Sequence, residues 1–160
     1  MNTEDLECFD VTPYLRLFID KDGKWYQNSV EIIHPGVLGQ FMGALETDSD
    51  NHYRIRIGRE VCSVEVEDTP FVVTGVSEDK DGNVLLQLND GTLEIFNPET
   101  LRINGSNIPY CMVRNGKFPV RFSRPAYYQF AERLDFDDSE QAFFISLNGK
   151  RIRIKSPEKT

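Results

Sequence analysis

Two stretches of this chain repeat one pattern, and that repetition constrains the fold more than any other feature. Asp22 opens DGKWYQNSVEIIHPGVLGQF, and Asn115 opens NGKFPVRFSRPAYYQF. In each, turn residues precede an aromatic-led strand. A proline then fits the first position of a helix, where its missing N–H costs nothing.

In the first copy, Tyr14–Asp20 alternates as a strand, Asp20–Gly23 supplies a turn, and Lys24–Ile32 returns as a second strand. After Pro35, the residues Val37, Leu38, Phe41, Met42 and Leu45 fall at helical spacing. The glycines among them make that helix dependent on packing. YRIRI and CSVEV then read as paired strands. The second copy runs in the same order. Tyr110–Phe122 is strand, Asn-Gly turn, strand. Pro125 opens a helix with Tyr127, Tyr128, Phe130, Ala131 and Leu134 available for a buried face, and FFISL and RIRI follow. Both copies predict ββαββ. The correspondences are Gly23 with Gly116, Lys24 with Lys117, Trp25 with Phe118, Pro35 with Pro125, Gln40 with Gln129, Phe41 with Phe130 and Gly58 with Gly149.

Parity supports the pattern. Tyr53, Ile55 and Ile57 share one strand face, and Cys62, Val64 and Val66 share one face of the next strand. Ile145 and Leu147 face Ile152 and Ile154 with the same odd-to-even switch, so each hairpin has an even-numbered loop. Between the copies, FVVTGV, NVLLQL and TLEIF read as strands separated by turns at Asp79–Gly82 and Asn89–Gly91. They are expected to extend the first sheet. The predicted fold is α+β: two duplicated ββαββ-like halves joined by a run of antiparallel strands, with one main helix per half. The expected organisation is an N-terminal segment (1–13), a first half with additional strands (14–109), a second half (110–155) and a C-terminal tail (156–160), together one two-lobed unit.

Charge and composition bear on function more than on fold. The 160 residues carry a net charge of -8. Residues 1–110 hold 8 Lys/Arg and 20 Asp/Glu, while residues 111–160 hold 10 and 6. The acidic whole repels nucleic acid at long range, and the basic part is expected to dock on acidic parts of its own chain. No apolar run reaches the roughly 18 residues of a membrane span. The start, MNTEDLECFD, lacks the basic-then-apolar pattern of a signal peptide. A soluble cytoplasmic protein is expected. Three cysteines without a CxxC spacing suggest neither a disulfide framework nor a zinc site.

VEVEDTPFVV (Val64–Val73) and RPAYYQFAE (Arg124–Glu132), with Asp22–Trp25 and Pro35–Phe41, form an ordered set of four motifs. In this the sequence resembles an uncharacterised bacterial family, domain of unknown function 1285, from about Phe18 to about Ile154. The resemblance implies an α+β protein of similar length and no activity. Family members usually have Arg before the first helix proline, as Arg124 stands before the second. Here His34 takes that place, which puts an anion-binding role of the first helix start in doubt.

His34 and Arg124 occupy corresponding helix starts, where exposed N–H groups favour anions. They could frame a small anionic ligand or simply fix the start of each helix. Glu65, Glu67 and Asp68 form a carboxylate cluster. Arg54 is expected across from Glu65, and Asp68 precedes a turn at Pro70. Asp20–Glu31 has acidic residues at calcium-loop positions, but its glycine is misplaced and Lys24 stands at a ligand position. ETDSDN and DFDDSEQ read as acidic loops. Cys62 and Cys111 read as core. No GxSxG, Walker A or GxGxxG motif occurs. Tyr110, Tyr127, Tyr128, Arg121 and Arg124 mix aromatics with bases, a combination that can stack and clamp a nucleotide or pack a helix on its sheet.

The leading expectation is a non-enzymatic ligand-binding or regulatory module with a cleft between its halves near His34, Asp68, Arg124 and Tyr128. No catalytic residue, metal or cofactor is assigned. The expected partners are a small anionic ligand, another protein or a second copy of the chain, with no membrane. The alternatives are a small hydrolase using Asp68 and His34 with an acquired metal, and an RNA- or acidic-partner-binding protein using residues 111–155.

Overall fold

The computed structural model describes residues 8–48 and 50–154, which fall into two compact units, Met1–Pro70 and Phe71–Thr160. The first unit contains β1 (Phe9–Asp10), β2 (Leu17–Ile19), β3 (Trp25–Gln27), β4 (Val30–Glu31), α1 (Pro35–Gly43), β5 (Leu45–Thr47), β6 (Tyr53–Ile57) and β7 (Glu60–Val66). Its sheet runs in the order β4-β3-β2-β7-β6-β5, with β1 beside β7. The central pair, β2 and β7, is parallel. The strand expected over Lys24–Ile32 is broken into β3 and β4, because Asn28 and Ser29 adopt positive φ angles of 49° and 70°. Asn tolerates that region, and the Asn28 side chain accepts a hydrogen bond from the Arg16 amide at 2.9 Å.

Alternation along the strands sends Leu17, Ile19, Trp25, Ile55, Cys62 and Val64 to the buried side. The glycine-rich α1 holds its place by packing: Met42 is buried and the Phe41 ring lies 6.0 Å from Trp25. The expected parity of the β6–β7 hairpin is present, with Ile55 opposite Cys62 and Ile57 opposite Glu60.

The second unit contains β8 (Phe71–Glu78), β9 (Val84–Leu88), β10 (Leu93–Ile95), a 3-10 turn (Pro98–Thr100), β11 (Arg102–Ile103), β12 (Pro109–Val113), β13 (Phe118–Phe122), α2 (Arg124–Ala131), β14 (Leu134–Asp137), β15 (Ala142–Leu147) and β16 (Lys150–Arg153). One sheet runs β10-β9-β8-β13-β12-β11, and β14-β15-β16 form a second, three-stranded sheet. The middle strands β8–β10 therefore do not extend the first sheet, as their position in the sequence suggested. β8 lies parallel to β13, with Phe71 opposite Val120 and Val73 opposite Phe122. The core is aromatic: Phe130 of α2 meets Phe96 and Phe122 edge-on at 5.4 and 5.2 Å. A register shift between Val73 and Gly75 marks a bulge in β8. Beyond it, the Val76 amide donates to the Gln129 side chain of α2 at 2.7 Å. The three-stranded sheet is tied to the β8–β9 turn, where the Asn148 amide donates to the Gly82 carbonyl at 3.1 Å.

The two larger sheets share one strand order: two three-stranded runs whose first and last strands meet in parallel. Two pairs of their turns correspond as well. In the β2–β3 and β8–β9 turns, the Asp20 and Asp79 carboxylates accept from the amides two and four residues on. In the β5–β6 and β11–β12 turns, Asp48 and Asn104 do the same. What differs is the helix. α1 joins the two runs of the first unit, whereas a three-residue 3-10 turn joins those of the second and α2 follows β13. Hairpin, helix and three-stranded meander do recur in chain order, but β7 returns to pair with β2 while β16 pairs with β15.

Candidate functional site

Arg124 and Tyr128 come together in the second unit. A cavity of about 400 Å³ opens beside the first turn of α2, lined by both residues with Arg121, Phe122, Tyr127 and the segment Ser106–Pro109. Ser123 caps the helix, its hydroxyl accepting from the Ala126 amide at 3.3 Å, and Pro125 follows. Arg124 and Tyr128 are one turn apart and share a helix face. Arg121 reaches the wall from β13, where it lies opposite Tyr110 and Val72. The far wall is held by Asn104, whose side chain accepts from the Ser106 and Ile108 amides at 3.0 and 2.9 Å. Asn107 takes a φ of 62° in this turn.

The sequence offered Tyr127 and Tyr128 to the buried face of α2. Phe130, offered with them, is buried as expected and is joined by Ala126, whereas Tyr127 is half-buried and Tyr128 is 58% exposed. The two tyrosine rings lie 5.8 Å apart at 56° to one another. Arg124 is exposed and, among the described residues, makes no ion pair and no side-chain hydrogen bond. A cation that is hydrated rather than paired can meet an anion without first breaking a salt bridge.

His34 and Asp68 belong to the first unit. His34 is the N-cap of α1, its Nδ1 accepting from the Gly36 and Val37 amides at 3.1 and 3.3 Å. That lone pair is thus committed to the helix start. Asp68 is half-buried just past β7. Its neighbour Glu67 accepts from the Lys21 amide at 2.6 Å. Arg54 faces Ser63 rather than Glu65, and its guanidinium donates to Glu46 at 3.0 Å. Glu65 instead lies 4.0 Å from Arg16.

Sequence reasoning missed a larger cavity of about 640 Å³ in the first unit, lined by Thr12, Arg16, Phe18, Tyr26, Ser63 and Glu65 among others. The outward-facing alternate residues of β2, β3 and β7 were its available signal. The Tyr26 hydroxyl donates to Asp20 at 3.0 Å, which together with burial raises the phenol above its ordinary value.

The cysteines of the core are poor nucleophiles. Burial pushes the Cys111 thiol up to about 12 and raises that of Cys62, whose Sγ contacts the Leu15 carbonyl at 3.0 Å. Among the described residues, Asp48, Asp50 and His52 are the group whose ligand atoms come close together, within 4.8 Å. All three are exposed, and the Asp48 carboxylate already holds the β5–β6 turn. In DFDDSEQ, Asp137 accepts from the Ser139 hydroxyl and amide and from Arg151, which together hold it well below the usual carboxylate range. No described helix is long and apolar enough to cross a membrane.

No family model and no curated protein matches the chain. Two solved structures do. A DUF1285 family protein from Silicibacter pomeroyi DSS-3 aligns over 89% of this chain and 80% of its own, at 18% identity and a TM-score of 0.71. A DUF1285 family protein from Shewanella baltica OS155 aligns over 74% of this chain and 92% of its own, at 18% identity and a TM-score of 0.62. The likeness is one of fold, and it agrees with the DUF1285-type resemblance that the four sequence motifs carry.

Proposed function

We propose that the chain is a non-enzymatic binding module whose second unit takes a small anionic ligand in the cavity beside α2. The observation that carries this reading is Arg124, an exposed guanidinium without a protein partner among the described residues, at the edge of a cavity walled by tyrosines. Arg121 adds positive charge to the wall, and the Asn104 turn keeps the opposite side in place. Small-ligand pockets combine such a few polar groups with an apolar and aromatic lining. The common strand order of the two sheets supports an origin by duplication, with the helix carried at different points of the two units. On that reading the anion site is a property of the second unit.

The test is thermal stability in phosphate, sulfate and citrate, at ionic strength matched with chloride. A ligand at about one hundred times its dissociation constant adds roughly 2.7 kcal/mol. Wild type is expected to gain stability in at least one of these anions, and Arg124→Ala to lose the gain while melting normally without it. Equal gains in both proteins would place the anion elsewhere.

A further inference from the structure

We propose that the ligand of the α2 cavity is a phosphate ester carrying a flat ring and is of mononucleotide size, with Arg124 on the phosphate and Tyr128 stacked against the ring. This rests on the anion-site reading above and names the class of anion. Four observations lead to it.

The first is spacing. Arg124 and Tyr128 stand four residues apart on α2, so their Cβ atoms are neighbours at about 5–6 Å. A pentose holds its phosphate and its base at a comparable separation, which lets one molecule reach both side chains. The second is the state of the tyrosine. Tyr128 is 58% exposed, and the core contacts of α2 fall to Ala126 and Phe130. Its ring is therefore open to a ligand, and every nucleobase presents a π-face to such a platform. Tyr127, inclined at 56°, closes a corner beside it.

The third is size. A bare phosphate needs neither an aromatic wall nor about 400 Å³ of space. That volume lies near the lower end of small-ligand pockets, roughly 300–1,000 Å³, which suits one nucleotide and not a strand. The fourth is the opposite wall. The Ser106–Ile108 segment is fixed by the Asn104 side chain rather than left as a free loop. It presents the Ser106 hydroxyl and the Asn107 amide, both able to donate and accept hydrogen bonds, as a base edge or a sugar requires. The site does not depend on the helix amides, since Ser123 already serves that of Ala126.

Affinities of the full chain for AMP, CMP, ribose 5-phosphate, inorganic phosphate and adenosine, measured by calorimetry, test the assignment. AMP or CMP is expected to bind about tenfold or more tighter than ribose 5-phosphate, the factor that stacking on one tyrosine supplies. Tyr128→Leu should bring the nucleotides down to the affinity of ribose 5-phosphate, with phosphate binding kept. Arg124→Ala should weaken every phosphate-bearing probe. Both positions are exposed, so circular dichroism is expected to find both variants folded. Equal binding of ribose 5-phosphate and the nucleotides would overturn the ring while leaving the anion site standing. Adenosine binding as tightly as AMP would overturn the phosphate. If no phosphate-bearing probe binds, this inference falls, and the anion-site reading falls with it only where sulfate and citrate also leave the stability of the wild type unchanged.

Discussion

The two large sheets of this protein have the same strand order and the same side-chain acceptors in two pairs of their turns, yet they treat their helices differently. In the first unit α1 links the two three-stranded runs, and Met42 is its buried residue. Phe41 is half-buried against Trp25. In the second unit α2 follows the last strand of the sheet and sinks Phe130 between Phe96 and Phe122. The difference teaches that the sheet forms a scaffold, while the helix is an accessory whose placement decides which of its side chains each unit buries and which it leaves at the surface. With the embedded face of α2 spent on the core, its first turn and Tyr128 remain for the cavity.

Phenylalanine truncation breaks this comparison most sharply. Phe130→Ala removes a ring that is 1% exposed and is expected to cost about 3–5 kcal/mol in urea denaturation. Phe41→Ala, at the site the sequence made equivalent, removes a half-buried ring and should cost about 1–2 kcal/mol. Equal costs would mean that the two helices are held alike.

The glutamines sharpen the comparison at smaller scale. Gln40 and Gln129 matched in sequence, but Gln40 is exposed on α1 while Gln129 accepts the Val76 amide freed by the bulge in β8. Gln129→Ala leaves that part-buried amide without its acceptor and should cost about 1–3 kcal/mol, with faster hydrogen exchange at Val76. Gln40→Ala should fall within about 0.5 kcal/mol of wild type. An unchanged exchange rate at Val76 would show that water replaces the side chain at no cost.

These pairs also show where sequence reading stopped. Turns were legible because their chemistry is local: Asp20–Gly23, Asp79–Gly82 and Asn115-Gly116 carry their own side-chain acceptors or glycines at φ values of 82°, 85° and 77°. The helix starts were legible from Pro35 and Pro125, and the hairpin registers from parity at Ile55–Cys62 and Ile145–Ile152. The sheet that β8 joins was not legible. Its partner β13 lies some fifty residues away in parallel, and no turn encodes that pairing. Half of the cavity was legible, since Arg124 and Tyr128 lie four apart on one helix. Its other wall, Ser106–Pro109, needed the β11–β12 register to bring it across the sheet. The Asx-type turn at Asn104 was the available sign.

The smallest expected effect concerns those turns. Asp48 and Asn104 hold corresponding turns in the same way, but one of them titrates. Hydrogen bonds from the His52 and Asp50 amides lower the Asp48 carboxyl below its ordinary 3.8. A carboxyl depressed in the folded state stabilises it fully above the unfolded value. That contribution is lost as the pH falls through the folded value, because the unfolded chain then takes up the proton more readily. Asp48→Asn should therefore keep the turn, as Asn104 does, and leave the Tm at pH 7 within about 2 °C of wild type. Its Tm should fall less than that of wild type between pH 5 and pH 2. The reverse exchange, Asn104→Asp, should make the second unit's turn acid-sensitive and steepen the fall. If both variants follow the wild-type pH profile, the side-chain acceptors of these turns contribute equally charged or neutral, and the correspondence between the units is one of shape without electrostatics.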